Sequence, residues 1–194
     1  MRALIDLILR TIIDPKAVIS RSLGKGFSEL TVLQAALFVA ICSTLLTYLF
    51  LQIIATNIVI SSRDSTPLLE DILSFVSSIQ PIYFTANQVF QMIVFSLIIT
   101  LGGRLFRGKG KFFEALLCIT LVESILVLLK IVQIVLLPIS AVLSFIIIVP
   151  GIVWSLWAFA CMAAFIHGFK STFLTFCGGF ALSLLFLVVL NTVF

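Results

Sequence analysis

Long uncharged stretches alternate along the chain with short polar or basic connections. No charged residue occurs from Leu30 to Ile60, and a helix needs only about 20 apolar positions to cross the hydrocarbon core of a bilayer. Ser28 and Glu29 supply an N-cap and an acidic first turn before this span, and the polar tract from Ser61 to Pro67 ends it. Residues 72–103 are again uncharged, but Gln80-Pro81 divides them. The pattern therefore predicts a short segment near 68–79 and a second span over 82–103. Pro138 supplies the turn between spans over 112–136 and 139–166, and Pro150-Gly151 predicts a kink inside the latter. His167-Gly168-Phe169-Lys170 makes the next connection, and a fifth span follows over 171–194.

Two shorter patterns precede the first span. Arg2, Asp6 and Arg10 recur every fourth residue among Leu4, Ile5, Leu7, Ile8 and Ile12, which predicts a helix lying in the membrane interface. Asp14-Pro15 is a cap followed by proline at the first helical position, and Gly24 sits where a C-cap belongs, so residues 14–23 form a second interfacial helix. The predicted class is an all-α integral membrane protein, with interfacial helices over 1–29 and a five-span membrane domain over 30–194.

Composition narrows the picture further. The chain has 194 residues, 62% hydrophobic and 10% charged, where a soluble domain carries roughly 45–50% and about 25%. That excludes a water-soluble domain, a disordered chain and a disulfide scaffold. Cys42, Cys118, Cys161 and Cys177 lie inside apolar runs without CxxC spacing and read as small buried hydrophobes.

The net charge of +4 matters less than its placement. Residues 1–29 carry five Lys/Arg, and the loop Arg104-Leu105-Phe106-Arg107-Gly108-Lys109-Gly110-Lys111 carries four. The 61–71 connection has only Arg63 against three acids. Basic connections thus alternate, which predicts a cytoplasmic N-terminus and an outside C-terminus. Basic residues between spans, rather than along one face, argue against nucleic-acid binding. Arg104, Arg107, Lys109 and Lys111 are instead expected to meet anionic lipid head groups or an acidic patch on a partner.

Candidate chemistry is sparse. His167 is the only histidine, and there is no GxSxG turn, HExxH motif, phosphate-binding glycine loop or paired intramembrane aspartate. The expectation is no enzyme, no metal and no cofactor, with His167 as a boundary or capping residue. Ionisable residues at membrane depth are expensive and default to functional candidates. Glu114 lies at the edge of the third span, Lys130 is expected to snorkel outward, and Glu123 falls about 16 Å deep. Gln91 in the second span reaches a depth of about 18 Å, and Asn87 shares its face at i, i+4. Glu123, Gln91, Asn87 and Lys130 therefore predict an intramembrane polar seam, with Glu123 bonded to the second span. The seam reads either as interhelical glue or as the path of a small transporter or channel.

Several segments resemble the Yip (Ypt-interacting protein) domain family, its bacterial branch most closely. They are Asp14-Pro15-Lys16-Ala17, the loop Gly108-Lys109-Gly110-Lys111-Phe112 opening the third span, and His167-Gly168-Phe169-Lys170-Ser171 before the fifth. The resemblance covers nearly the whole chain and rests mainly on its layout. Eukaryotic members carry a long acidic N-terminal region without a counterpart in these first 29 residues, so their Rab-GTPase role is not carried over. Many members have a proline within the third span, where this chain has Glu123-Ser124. For the bacterial branch the resemblance implies an inner-membrane protein without a settled biochemical activity, and it carries over no catalytic or ligand residues. The expected function is a non-catalytic scaffold, assembly factor or accessory subunit that binds membrane proteins or lipids.

Overall fold

The computed structural model describes residues 10–24, 26–61, 80–179 and 181, with side chains described for these except residues 57–61. Among the described residues the chain is helical, with no strand. Helix α1 is Pro15–Gly24 and α2 is Glu29–Ser61. After them come α3 (Pro81–Leu105), α4 (Phe112–Leu136), α5 (Ala141–Ile146) and α6 (Ile148–His167). Four stretches are long and apolar enough to cross a membrane: Glu29–Thr56, Pro81–Leu105, Phe112–Leu136 and Ala141–His167. Residues 172–179 are helical at the start of the expected fifth span. The rest of that span, the helix expected over 1–9 and the segment near 68–79 lie outside the described residues.

The helix ends follow their sequence signals. Asp14 Oδ1 accepts from the Ala17 N–H at 3.0 Å, and Ser28 Oγ accepts from Thr31 N–H at 3.2 Å. The Glu114 carboxylate caps the Lys111 N–H at 2.9 Å, and the chain turns at Leu137–Ile139 around Pro138. The kink expected from Pro150-Gly151 is present, in the turn before the proline. The helix breaks at Ile147, because Pro150 cannot donate to the carbonyl of Ile146 and its ring crowds that same group. Gly151 serves packing instead, since a Cβ there would overlap Leu129 Cδ2 of α4.

Helix α4 is the hub, in contact with α2, α3, α5 and α6. Small side chains make this possible. The buried stripe of α2 is Val32, Ala36, Ala40, Ser43 and Thr44, and that of α3 is Met92, Ser96, Thr100 and Gly103. Buried hydroxyls satisfy themselves within their own helix: Ser96 donates to the Met92 carbonyl at 2.7 Å, and Thr120 to Leu116 at 2.8 Å. Large apolar side chains such as Phe38, Phe90, Leu101 and Val153 point outward and are 58–67% exposed. Small residues inside with large ones outside is the arrangement of a bundle solvated by lipid, where close backbone approach drives association.

Helix α1 packs along α6 rather than across its end. Asp14 and Lys16 sit near Cys161, and the Trp154 Nε1–H donates to the Ile12 carbonyl at 3.1 Å. Trp154 lies thirteen residues before His167, roughly 20 Å along the helix, so Ile12 stands level with the middle of α6. Thr11, Pro15, Val18 and Ile19 are correspondingly buried.

Candidate functional site: a histidine cradle, a cavity and a buried ammonium

The ends of α3 and α6 are built alike. In α6, Gly168 adopts φ 71°, with its N–H bonded to the Phe165 carbonyl and the Phe169 N–H to that of Ala164. In α3, Arg107 adopts φ 61°, with its N–H bonded to Arg104 and the Gly108 N–H to Gly103. Both are Schellman turns, and the left-handed position suits glycine in the first but costs arginine about 1 kcal/mol in the second.

His167 joins these two ends. It is 4% exposed, stacks on Phe169 at 5.4 Å between ring centroids, and its Nδ1 accepts from the Gly110 N–H at 3.2 Å. An accepting Nδ1 in a neutral imidazole assigns the proton to Nε2. Nε2 meets no partner at full bonding geometry, and the Ile99 carbonyl of α3 is the polar group near it. Three glycines make the space. A Cβ at Gly103 would overlap three ring atoms, and one at Gly108 or Gly110 would come within 2.5 or 2.7 Å of the ring. His167 is therefore a buried clasp holding α6 to the end of α3 and to the following loop. Arg104, Arg107, Lys109 and Lys111, the four expected head-group contacts, are all exposed along that loop.

A cavity of about 850 Å³ opens between α3, α4, α6 and residues 171–179. Its walls are apolar apart from Glu123, Ser155, Ser171 and Thr175, with His167 and Lys170 at one end. No hydrogen bond to Glu123 forms among the described residues, so the expected bond to the second span is not made. Asn87 and Gln91 are exposed instead, because the buried stripe of α3 runs through Met92 and Ser96, one residue (about 100°) round the helix.

Lys130 also departs from expectation. Its Nζ does not snorkel outward but turns to α2, donating to Ser43 Oγ at 2.7 Å and Thr47 Oγ1 at 2.9 Å. The Thr47 hydroxyl donates to the Ser43 carbonyl at 2.8 Å, which leaves its lone pairs for the ammonium. Glu123 and Lys130 interact electrostatically along one face of α4. The predicted seam thus divides: Glu123 and Lys130 are half-buried, while Asn87 and Gln91 are exposed, on the face of α3 that carries Phe95, Ile98 and Gly102 into the cavity wall. Ser43 and Thr47 were not singled out from the sequence, although two hydroxyl residues at i, i+4 in an uncharged span marked the place. The cluster Gly102-Gly103, Gly108 and Gly110 likewise marked the cradle for the only histidine. Among the described residues no group of His, Cys, Asp and Glu could hold a metal ion.

These features define the class: a helical bundle with helices long and apolar enough to span a membrane, small-residue packed, with an apolar cavity and the polar groups Glu123 and Lys130 among its helices. No family model, no curated protein and no solved structure matches the chain.

Proposed function

We propose that this chain is a non-catalytic, multi-span bacterial inner-membrane protein that works as a scaffold, assembly factor or accessory subunit. One observation carries the proposal. Asn87 and Gln91 lie one turn apart on α3, both exposed, about 24 and 18 Å from the cytoplasmic end of a span crossing a core about 30 Å thick. An amide facing hydrocarbon leaves costly unpaired donors and acceptors, and such side chains bond across helices when a neighbour supplies partners. These exposed amides, on α3 beyond the cavity wall, are thus suited to a polar residue on another protein's membrane helix. The exposed basic loop at the His167 end would add contacts to anionic head groups or to an acidic segment of the partner.

Replacing both amides, Asn87→Leu with Gln91→Leu, should leave the fold intact and reduce recovery of co-purifying membrane proteins in mild detergent at least tenfold. Unchanged recovery would remove the basis of this reading. A second reading, a small transporter or channel, is favoured by the cavity that reaches Glu123. In the same preparations Glu123→Gln should leave partner recovery unchanged, whereas loss of a proton-coupled flux would support transport.

The full topology belongs to this proposal: five spans, N-terminus in the cytoplasm, C-terminus outside and a Yip-like layout. Its support is the alternation of basic connections, each Lys/Arg near an anionic leaflet contributing about 1 kcal/mol. In a cysteine-free background, Ser65→Cys should react with an impermeant reagent from outside and Lys109→Cys only after lysis. The reverse pattern would invert the orientation.

A further inference from the structure

We infer that the cavity between α3, α4, α6 and residues 171–179 is a binding site for a single-chain amphiphile with an anionic head, its head at Lys170-Ser171 and its chain running toward Glu123. The site's length comes from the fold. The Gly110–His167 bond sets the start of α4 level with the end of α6, and Glu123 is eleven residues along α4. The span between the two ends is therefore roughly 16 Å, close to half of a core about 30 Å thick, which is the depth one lipid chain occupies in its leaflet. A volume of about 850 Å³ also lies within the usual range for a site holding one small molecule, roughly 300–1,000 Å³.

The walls match a hydrocarbon chain. Phe95, Ile99, Leu126, Leu156, Phe159 and Ala163 line it, and the small residues Gly102, Gly103 and Ala160 keep it open. Polarity is confined to the ends. At the His167 end stand Lys170 and Ser171, whose Oγ accepts from the Leu174 N–H at 3.3 Å and so keeps its own O–H to donate. Asp14 and Lys16, near Cys161 and hence near Thr172, offset one another, while the nearby acid Glu114 is engaged in capping Lys111. Lys170 and Ser171 also open a helix whose first N–H groups favour an anion. The local balance is positive, which selects a carboxylate or phosphate head over a neutral one. At the other end a bound chain would keep water from Glu123.

The full chain, purified in detergent and stripped of lipid, would be titrated with three probes sharing one chain: oleate, oleoyl lysophosphatidate and oleyl alcohol. Saturable binding of one equivalent of an anionic probe is expected, with oleyl alcohol at least tenfold weaker, and the better of the two anions identifies the head as carboxylate or phosphate. Lys170→Gln, at an exposed position, should weaken the anionic probes about tenfold and leave oleyl alcohol unchanged. Ala163→Phe should fill the cavity and weaken all three. The Asn87→Leu, Gln91→Leu pair should bind the probes normally, which separates this site from the proposed partner face. Non-saturable uptake of all probes, or equal affinity for anionic and neutral probes in both wild type and Lys170→Gln, would overturn the assignment. Should Ala163→Phe fail to fold, the charge discrimination at Lys170 decides alone.

Discussion

Gly103→Ala should destabilise the protein by about 3 kcal/mol, although alanine is the better helix former by about 1 kcal/mol. The added methyl would overlap three atoms of the His167 ring, and the collision is with a buried ring wedged between Phe169 and two further glycines. Forcing extra volume into a packed site costs about 1–3 kcal/mol. Expelling the imidazole also strips the buried Gly110 N–H of its acceptor, adding about 1–3 kcal/mol. The net remains clearly unfavourable after the gain in propensity. Gly24→Ala is the control, since a Cβ there meets nothing within 4 Å. Unfolding in mixed micelles would give both values, and the pair of Gly103→Ala with His167→Ala should cost well under the sum of its members. A stable Gly103→Ala, or strict additivity, would show that the clasp contributes nothing.

That clasp also shows what the sequence made legible. Spans, caps and turns were readable because each rests on a local signal: uncharged length at α2, Asp14-Pro15 at α1, Pro138 between α4 and α5. The helix break was readable from Pro150 and falls three residues before it because proline acts backwards, on the carbonyl four residues earlier. Position along a helix was readable for Glu123 and Gln91, since it needs only the rise per residue. Rotation was not. A single step of about 100° puts Gln91 outside and Met92 inside, and in a span apolar all round no amphipathic stripe says which face is buried. Size, rather than polarity, carried that information, in the recurrence of Ala36, Ala40 and Ser43 or of Ser96, Thr100 and Gly103. The same blindness to rotation hid the partners of Lys130, which lie 83 and 87 residues away in the chain.

Removing those partners should cost more than removing the lysine. In Ser43→Ala with Thr47→Val, the ammonium of Lys130 stays at membrane depth without the two oxygens that now accept from it at 2.7 and 2.9 Å. A hydrogen bond to a charged group contributes about 1.5–3 kcal/mol, and an uncompensated buried charge costs more than its bond was worth. A loss of about 3 kcal/mol is expected. Lys130→Met keeps the unbranched stem and its packing while deleting the charge. The Thr47 hydroxyl still donates to the Ser43 carbonyl, and Ser43 can turn to the carbonyl one turn back, as Ser96 and Thr120 already do. Its cost should stay under about 1.5 kcal/mol, in line with shape-conserving exchanges in a core. Glu123 supplies the discriminating arm. If the ammonium is kept as the countercharge of an ionised Glu123, Lys130→Met should be the costlier change and Glu123→Gln should rescue it. If the hydroxyls merely house the ammonium, the acceptor deletions dominate and Glu123→Gln rescues nothing. Unfolding free energies for these four variants in mixed micelles decide between the two, and the expected order is acceptor loss well above lysine loss.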